Sequence, residues 1–253
     1  MAIIAISAIA FASGHLLTTG FHQKSSAARR VCGRPYKLPK PLARPFTFHD
    51  SGSRGIRGLA FCGNGSVLAA ADGNGRVYLW SMSTHRTIWT LHDPRSKGVN
   101  AVAYRPHTST LAAGDANGSV YLWRPGRGRP RRLTDRASRG VRALAFSPSG
   151  SLLAAADGNG RAYIWSARTN RVVAVLHDQG SKGVTGVAFA SDGKTVATAD
   201  ANGTAYEWSL GRGFRPRLVA SLHITGSKGG RAIAFRPGAS TRTTAIADGN
   251  GRD

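Results

Sequence analysis

Apolar and polar residues alternate along most of this chain in short runs, with the length and period of β-strands rather than helices. "IRGLAF" (Ile56–Phe61), "VNAVAY" (Val99–Tyr104), "VRALAF" (Val141–Phe146) and "VTGVAF" (Val184–Phe189) are such runs, and each opens a larger unit. Within a unit, a turn rich in Pro, Ser and Gly leads into a second, Ala-rich strand that ends in aspartate. An Asn-Gly dipeptide follows, at Asn74-Gly75, Asn117-Gly118, Asn159-Gly160 and Asn202-Gly203. Asn-Gly between apolar runs is a strong hairpin signal, and it predicts a type I′ turn with positive φ at both central residues. The third run, as in "RVYLW" or "RAYIW", is apolar on both faces, which predicts a strand sandwiched between layers. The fourth is looser and more polar, as an outer edge strand should be.

The units repeat. "LLAAADGNGRAYIW" (Leu152–Trp165) recurs with few changes at Val67–Trp80, Thr110–Trp123 and Thr195–Trp208, and a fifth copy begins at Thr244. Trp80, Trp123, Trp165 and Trp208 are spaced 43, 42 and 43 residues apart. Four short strands in a unit of about 40–45 residues predict the blades of a β-propeller. "VRALAFSPSGSLLAAADGNGRAYIW" resembles the WD40 repeat, in particular divergent bacterial members whose blades carry D-x-N-G before the Trp strand. The resemblance covers residues 46–253 and, more weakly, Ile6–Gly20.

What the resemblance implies is an all-β, WD40-like propeller with four complete four-stranded blades and partial N- and C-terminal blades. The expected divisions are a partial blade over 1–20, an irregular basic linker with several prolines over 21–45, and propeller repeats over 46–253. The repeats are expected to divide as 46–93, 94–135, 136–178, 179–223 and a partial 224–253. Three arrangements of the ends stay open: a composite blade, an open ring, or a piece of a longer chain.

Blades of this family usually carry a hydrogen-bonded His–Ser/Thr–Trp–Asp network. Aligned on Trp80, Trp123, Trp165 and Trp208, the family's turn Asp falls on Asn74, Asn117, Asn159 and Asn202. Its second-strand Ser/Thr falls on Asp72, Asp115, Asp157 and Asp200, and the loop His has no counterpart. The loop supplies a cation instead, at Arg54, Lys97, Arg139, Lys182 and Lys228.

Charge changes the picture. The chain holds 35 basic and 12 acidic residues, a formal net charge of +23. Nine of the 12 carboxylates occupy two repeat registers: Asp72, Asp115, Asp157, Asp200 and Asp248 on second strands, and Asp50, Asp93, Asp135 and Asp178 before the next blade. A solvated surface would not sort its few acids in this way. We therefore expect an ion pair, or a water-bridged contact, from each second-strand Asp to its loop Lys or Arg.

Two surfaces are candidates for binding. Positions that vary inside the repeated frame are free to specialise, and they include Arg57, Asn100, Arg142 and Thr185, joined by loop residues Arg95 and Arg136. The resemblance places these on a channel face where peptides bind. An Arg-rich stretch, "RPGRGRPRR", contains R-G-R-P, which resembles an AT-hook, although its place between the third and fourth strands favours a basic hairpin loop. With a later loop it sets Arg124, Arg127, Arg129, Arg131, Arg132, Arg212, Arg215 and Arg217 on one rim, a candidate polyanion patch.

Other chemistry finds little support. D-x-N-G lacks the downstream oxygen ligands of a calcium loop, and Cys32 and Cys62 have no Cys/His spacing for zinc. Outside the two registers only Asp192, Glu207 and Asp253 are acidic, too few for paired acid–base work, and no nucleophile elbow or phosphate loop is present. The expected protein is a scaffold without catalytic residues, cofactor or metal. Its expected partner is a protein or peptide, with nucleic acid or another polyanion as the alternative. No apolar run approaches the roughly 20 residues of a membrane span, and nothing demands an oxidising compartment, so a cytoplasmic setting is expected.

Overall fold

Alternating runs joined by glycine turns pair with their sequence neighbours, and the result is a set of antiparallel meanders. The computed structural model describes residues 4–5, 47–48, 51–124, 127–134, 137–177, 180–236 and 244–249. Four sheets have four strands each, hydrogen-bonded in chain order. The first blade is Ile56–Phe61, Val67–Asp72, Arg76–Ser81 and Thr87–His92. The second is Val99–Tyr104, Leu111–Asp115, Ser119–Arg124 and Arg127–Thr134. The third is Val141–Phe146, Leu152–Asp157, Arg161–Ser166 and Val172–His177. The fourth is Val184–Phe189, Thr195–Asp200, Thr204–Ser209 and Arg217–His223. A fifth blade is described by two strands, Gly230–Phe235 and Thr244–Asp248. The one helical turn among the described residues is a 3₁₀ turn at Arg212–Phe214.

The blades stack through side chains that alternate along each strand. Tyr163 and Trp165 face the second blade, where they cluster with Val120 and Leu133. Ala162 and Ile164 point the other way, against Val196, Trp208 and Leu210 of the fourth. First strands of successive blades lie beside one another, so they line the axis and the fourth strands form the outside. Ile4–Ala5 pairs with Thr47–Phe48 ahead of the first blade, and the Phe48 ring stacks on Trp80 with centroids 4.8 Å apart. Residues 6–46, which hold both expected strands of the partial N-terminal blade and the linker, lie outside the described residues.

Each second strand is sheathed on both faces, and this explains its composition. Ala69, Ala70, Ala71, Ala112, Ala113, Ala154, Ala155 and Ala156 are all fully buried. The sheets approach closely at the last of these positions: a Cβ on Gly114, which stands where other blades have Ala71 and Ala156, would come 2.4 Å from Val141 Cγ1 of the third blade. We expect Ala156→Val, which adds two methyl groups against the fourth blade, to cost about 1–3 kcal/mol by overpacking. Urea unfolding should show a lower midpoint at unchanged slope.

One local expectation needs correction. The hairpin at Asn-Gly is not a two-residue type I′ turn. Gly75, Gly118, Gly160 and Gly203 have positive φ, but their asparagines are absent from the positive-φ residues. The N–H of Gly75 donates to the carbonyl of Asp72 at 3.1 Å, closing a turn over Asp72–Gly75, and the other three blades repeat the bond. This is the three-residue hairpin, a type I turn followed by a left-handed glycine. The physical reason is the aspartate at its first position. Its carboxylate accepts the N–H of the asparagine two residues on, which favours type I over type I′.

Candidate functional site: the loop end of the blades

In a four-stranded meander, the turn between strands two and three shares one end of the blade with the loop that enters strand one. Asp157 sits where the two meet and is 1% exposed. Its Oδ1 accepts the backbone N–H of Arg139 at 2.8 Å and of Asn159 at 2.9 Å, while Oδ2 accepts the Ser138 hydroxyl. Asp72, Asp115 and Asp200 repeat the arrangement with Ser53, Ser96 and Ser181 and with the amides of Arg54, Lys97 and Lys182, at 2.9–3.2 Å. Each serine also accepts the N–H of the glycine two residues on, at 3.1–3.2 Å. In the fifth blade the Lys228 amide donates to Asp248 at 3.3 Å.

The expected ion pair is therefore replaced. The cation contributes its main-chain amide, and the serine before it contributes the side chain. At 1% exposure the carboxylate lies too deep for a guanidinium or ammonium to share it with three shorter-reaching donors. The tryptophans stand apart from this latch. Trp208 Nε1 donates to Thr198 Oγ1 and Trp80 Nε1 to Thr87 Oγ1, both at 3.0 Å. Trp123, Trp165 and Trp208 lie in the interfaces between blades, and Trp80 packs against Phe48 on the free side of the first blade's cluster. Asn159 ties the turn down, donating to the carbonyl of Ala137 at 2.9 Å and to the Tyr163 hydroxyl at 2.7 Å.

Because the latch occupies only their backbone, Arg54, Lys97, Arg139, Lys182 and Lys228 all have exposed side chains. Among the described residues none of these five is ion-paired. An ion pair that does form is local: Arg95 Nε lies 3.5 Å from Asp93 Oδ1. Burial pushes the Asp93 carboxyl up, but the amide and guanidinium of Arg95, with the charge of Arg132, outweigh it and hold the carboxyl below its ordinary range.

The variable positions have a structural signature that periodicity does not show. Arg57, Asn100, Arg142 and Thr185 are each the extra residue of a β-bulge. Val141 pairs with Asp157 and Ala143 with Ala156, leaving Arg142 between them, and the other blades do the same. Arg231 occupies this position in the fifth blade. A bulge turns its side chain out of the regular alternation, and here it sends it to the neighbouring blade. Arg57 Nη1 donates to Asn100 Oδ1 at 2.7 Å, and Asn100 Nδ2 donates to the Val141 carbonyl at 2.8 Å. Thr185 Oγ1 donates to the Gly230 carbonyl at 2.5 Å.

Bulge and turn are matched. Arg57, Arg142 and Arg231 accompany D-G-N-G, whereas Asn100 and Thr185 accompany D-A-N-G. Space contributes: a Cβ on Gly73 would come 2.9 Å from the Arg54 carbonyl oxygen and 3.0 Å from Arg57 Nη2, and one on Gly158 would come 2.9 Å from the Arg139 carbonyl oxygen and 3.3 Å from Arg142 Nε. The guanidinium lies against the glycine in these blades, and alanine stands where the bulge side chain is short.

The candidate polyanion arginines do not form one patch. Arg124, Arg129 and Arg131 line a cleft between the second and third blades. Arg132 acts on Asp93 instead. Arg212, Arg215 and Arg217 belong to the fourth blade, and Arg127 enters only through its pairing with Arg124. Arg136, Asp50, Asp135 and Asp178 lie outside the described residues. The latch serines were not among the residues singled out, although S-[R/K]-G repeats at residues 53, 96, 138, 181 and 227. Arg231, Arg105 and Arg168 were missed as well.

Sheets of this topology, repeated radially and latched blade by blade, define a β-propeller built from a sequence repeat. The family model described as "WD domain, G-beta repeat" matches residues 40–81, 85–124, 130–166 and 170–209, and the chain belongs to the WD40-repeat family. Members of this family typically act as scaffolds for protein–protein interaction and typically lack enzymatic activity. No curated protein matches the chain. No helix among the described residues is long and apolar enough to cross a membrane, and no group of metal-binding side chains occurs among them.

Proposed function

We propose that this propeller is a non-catalytic scaffold whose loop end binds an acidic segment of a protein partner. The observation that carries this reading is the latch. It uses the nearby carboxylates on serine and main-chain donors, and so leaves five loop cations exposed at a shared end of the blades. Arg57, Arg142 and Arg231 add exposed guanidiniums at the bulges of alternate blades. A rigid surface of one charge, held by backbone bonds, steers and orients an oppositely charged partner.

The test is a displayed random-peptide selection against the whole chain. Selected peptides should be rich in Asp and Glu, and their affinity should fall with ionic strength. Arg57→Glu with Arg142→Glu should weaken them about tenfold or more by placing like charges in the contact. Peptides without acidic bias, or binding indifferent to these substitutions, would refute it.

A further inference from the structure

The opposite end of the blades carries a different feature. A cleft of about 350 Å³ opens between the second and third blades, lined by Arg105, Arg124, Arg129, Arg131 and Arg168 around Leu122 and Phe146. No acidic residue lines it among the described residues. Three elements build it. Arg124, Arg129 and Arg131 come from the outer half of the second blade, where Arg131 stands opposite Leu122. Other blades place Trp89, Ala174 or Ala220 at the position of Arg131. Arg168 comes from the hairpin between strands three and four of the third blade. Arg105 is fixed from below, its Nε donating to the Gly150 carbonyl at 2.7 Å.

We propose that this cleft holds a segment of single-stranded nucleic acid. Guanidiniums recognise phosphate oxygens through paired N–H donors, and five arginines line this cleft with no carboxylate among its described lining residues. Arg129 lies in the irregular stretch between the pairs Arg127–Arg124 and Arg131–Leu122, where the outer strand carries two extra residues; it leaves the ladder while Arg131 stays in register, and both line the cleft. The floor completes the match: Phe146 and Leu122 offer an apolar, aromatic surface on which a base stacks, and a charged groove with an aromatic platform suits sequence-tolerant binding. A phosphorylated peptide would use the arginines, but it fills the floor only where an apolar side chain flanks the phosphate, whereas every nucleotide carries a base. The cleft is at the far end from the loop cations, so this proposal stands independently of the one above.

A fluorescein-labelled oligothymidylate titrated into the whole chain tests it. Arg129→Ala with Arg131→Ala should weaken binding about tenfold and reduce the slope of log affinity against log salt by about 1.4. Lys97→Ala with Lys182→Ala changes the net charge equally and should leave affinity within about twofold, because those side chains lie at the other end. Phe146→Leu keeps the floor apolar and should weaken the oligonucleotide without changing competition by inorganic tripolyphosphate. Arg168→Ala, on an exposed hairpin, should act in the same direction as the first pair. Equal losses from the two double variants would mean diffuse attraction to a cationic protein and would overturn the site. Displacement by a phosphoserine peptide as effective as the oligonucleotide at matched charge would overturn the nucleic-acid assignment.

Discussion

Replacing Asp157 with alanine is expected to destabilise the protein by about 3 kcal/mol, because it strands two backbone amides and a serine hydroxyl that now share one carboxylate. For a chain of this size the loss corresponds to a fall in Tm of about 6–12 °C. Substitutions at its neighbours separate the latch from an ion pair. Ser138→Ala removes one charged hydrogen bond and should cost about 1.5–3 kcal/mol. Arg139→Ala keeps the amide that does the bonding, so it should stay within about 0.5 kcal/mol of the parent. In a double-mutant cycle, Ser138 and Asp157 should couple by more than about 1 kcal/mol, whereas Arg139 and Asp157 should add. A large effect of Arg139→Ala, or coupling confined to that pair, would show that the side-chain charge holds the loop after all.

Trp165→Ala should be costlier still, at about 3–5 kcal/mol. The indole is 4% exposed and fills the seam between the second and third blades, beside Val120, Leu133 and Leu153. Its removal leaves a void that the fully buried alanines of the second strand are too short to fill. In a repeat protein the damage falls on the nearest interface, because each unit touches mainly its neighbours. Hydrogen exchange should accordingly quicken at Val120–Leu122 and Leu153–Ala155, while Val196–Thr198, packed on the other face of the third blade, keeps more of its protection. Uniform loss of protection across all blades would instead indicate a single cooperative unit.

Much of the fold was legible because it is written several times over. One alternating run is ambiguous, but runs that recur with a tryptophan, a glycine turn and an aspartate at fixed offsets constrain one another. The turn was misassigned because Asn-Gly alone does not report what precedes it. The aspartate two residues earlier sets the backbone through a side-chain bond, and that bond is a three-dimensional fact. The same applies to the latch. Counting charges exposed the aspartate register but suggested the wrong partner, since a lysine or arginine draws attention that the adjacent serine does not. The bulges were invisible for a different reason. An inserted residue changes the pairing and leaves the hydrophobic pattern of the strand nearly intact, so only the register reveals that Arg142 is turned out of line.

The outer edge of the fourth blade shows what a neighbouring blade contributes. Leu176 in the third blade is 2% exposed beneath Trp208 and Leu210, whereas Leu222, its counterpart in the fourth, is 61% exposed. Two strands of the fifth blade are described beside it, and Thr244 bonds to Glu207 where other blades have Leu79 or Ile164.

Anchoring the entry loops through main-chain amides also separates folding from surface chemistry. At residues 54, 97, 139, 182 and 228 the bond that shapes the loop makes no demand on the side chain beyond a preference for one that tolerates water. Each blade therefore carries a position that can be rewritten singly, as type is changed in a fixed press, without loosening the frame that holds it.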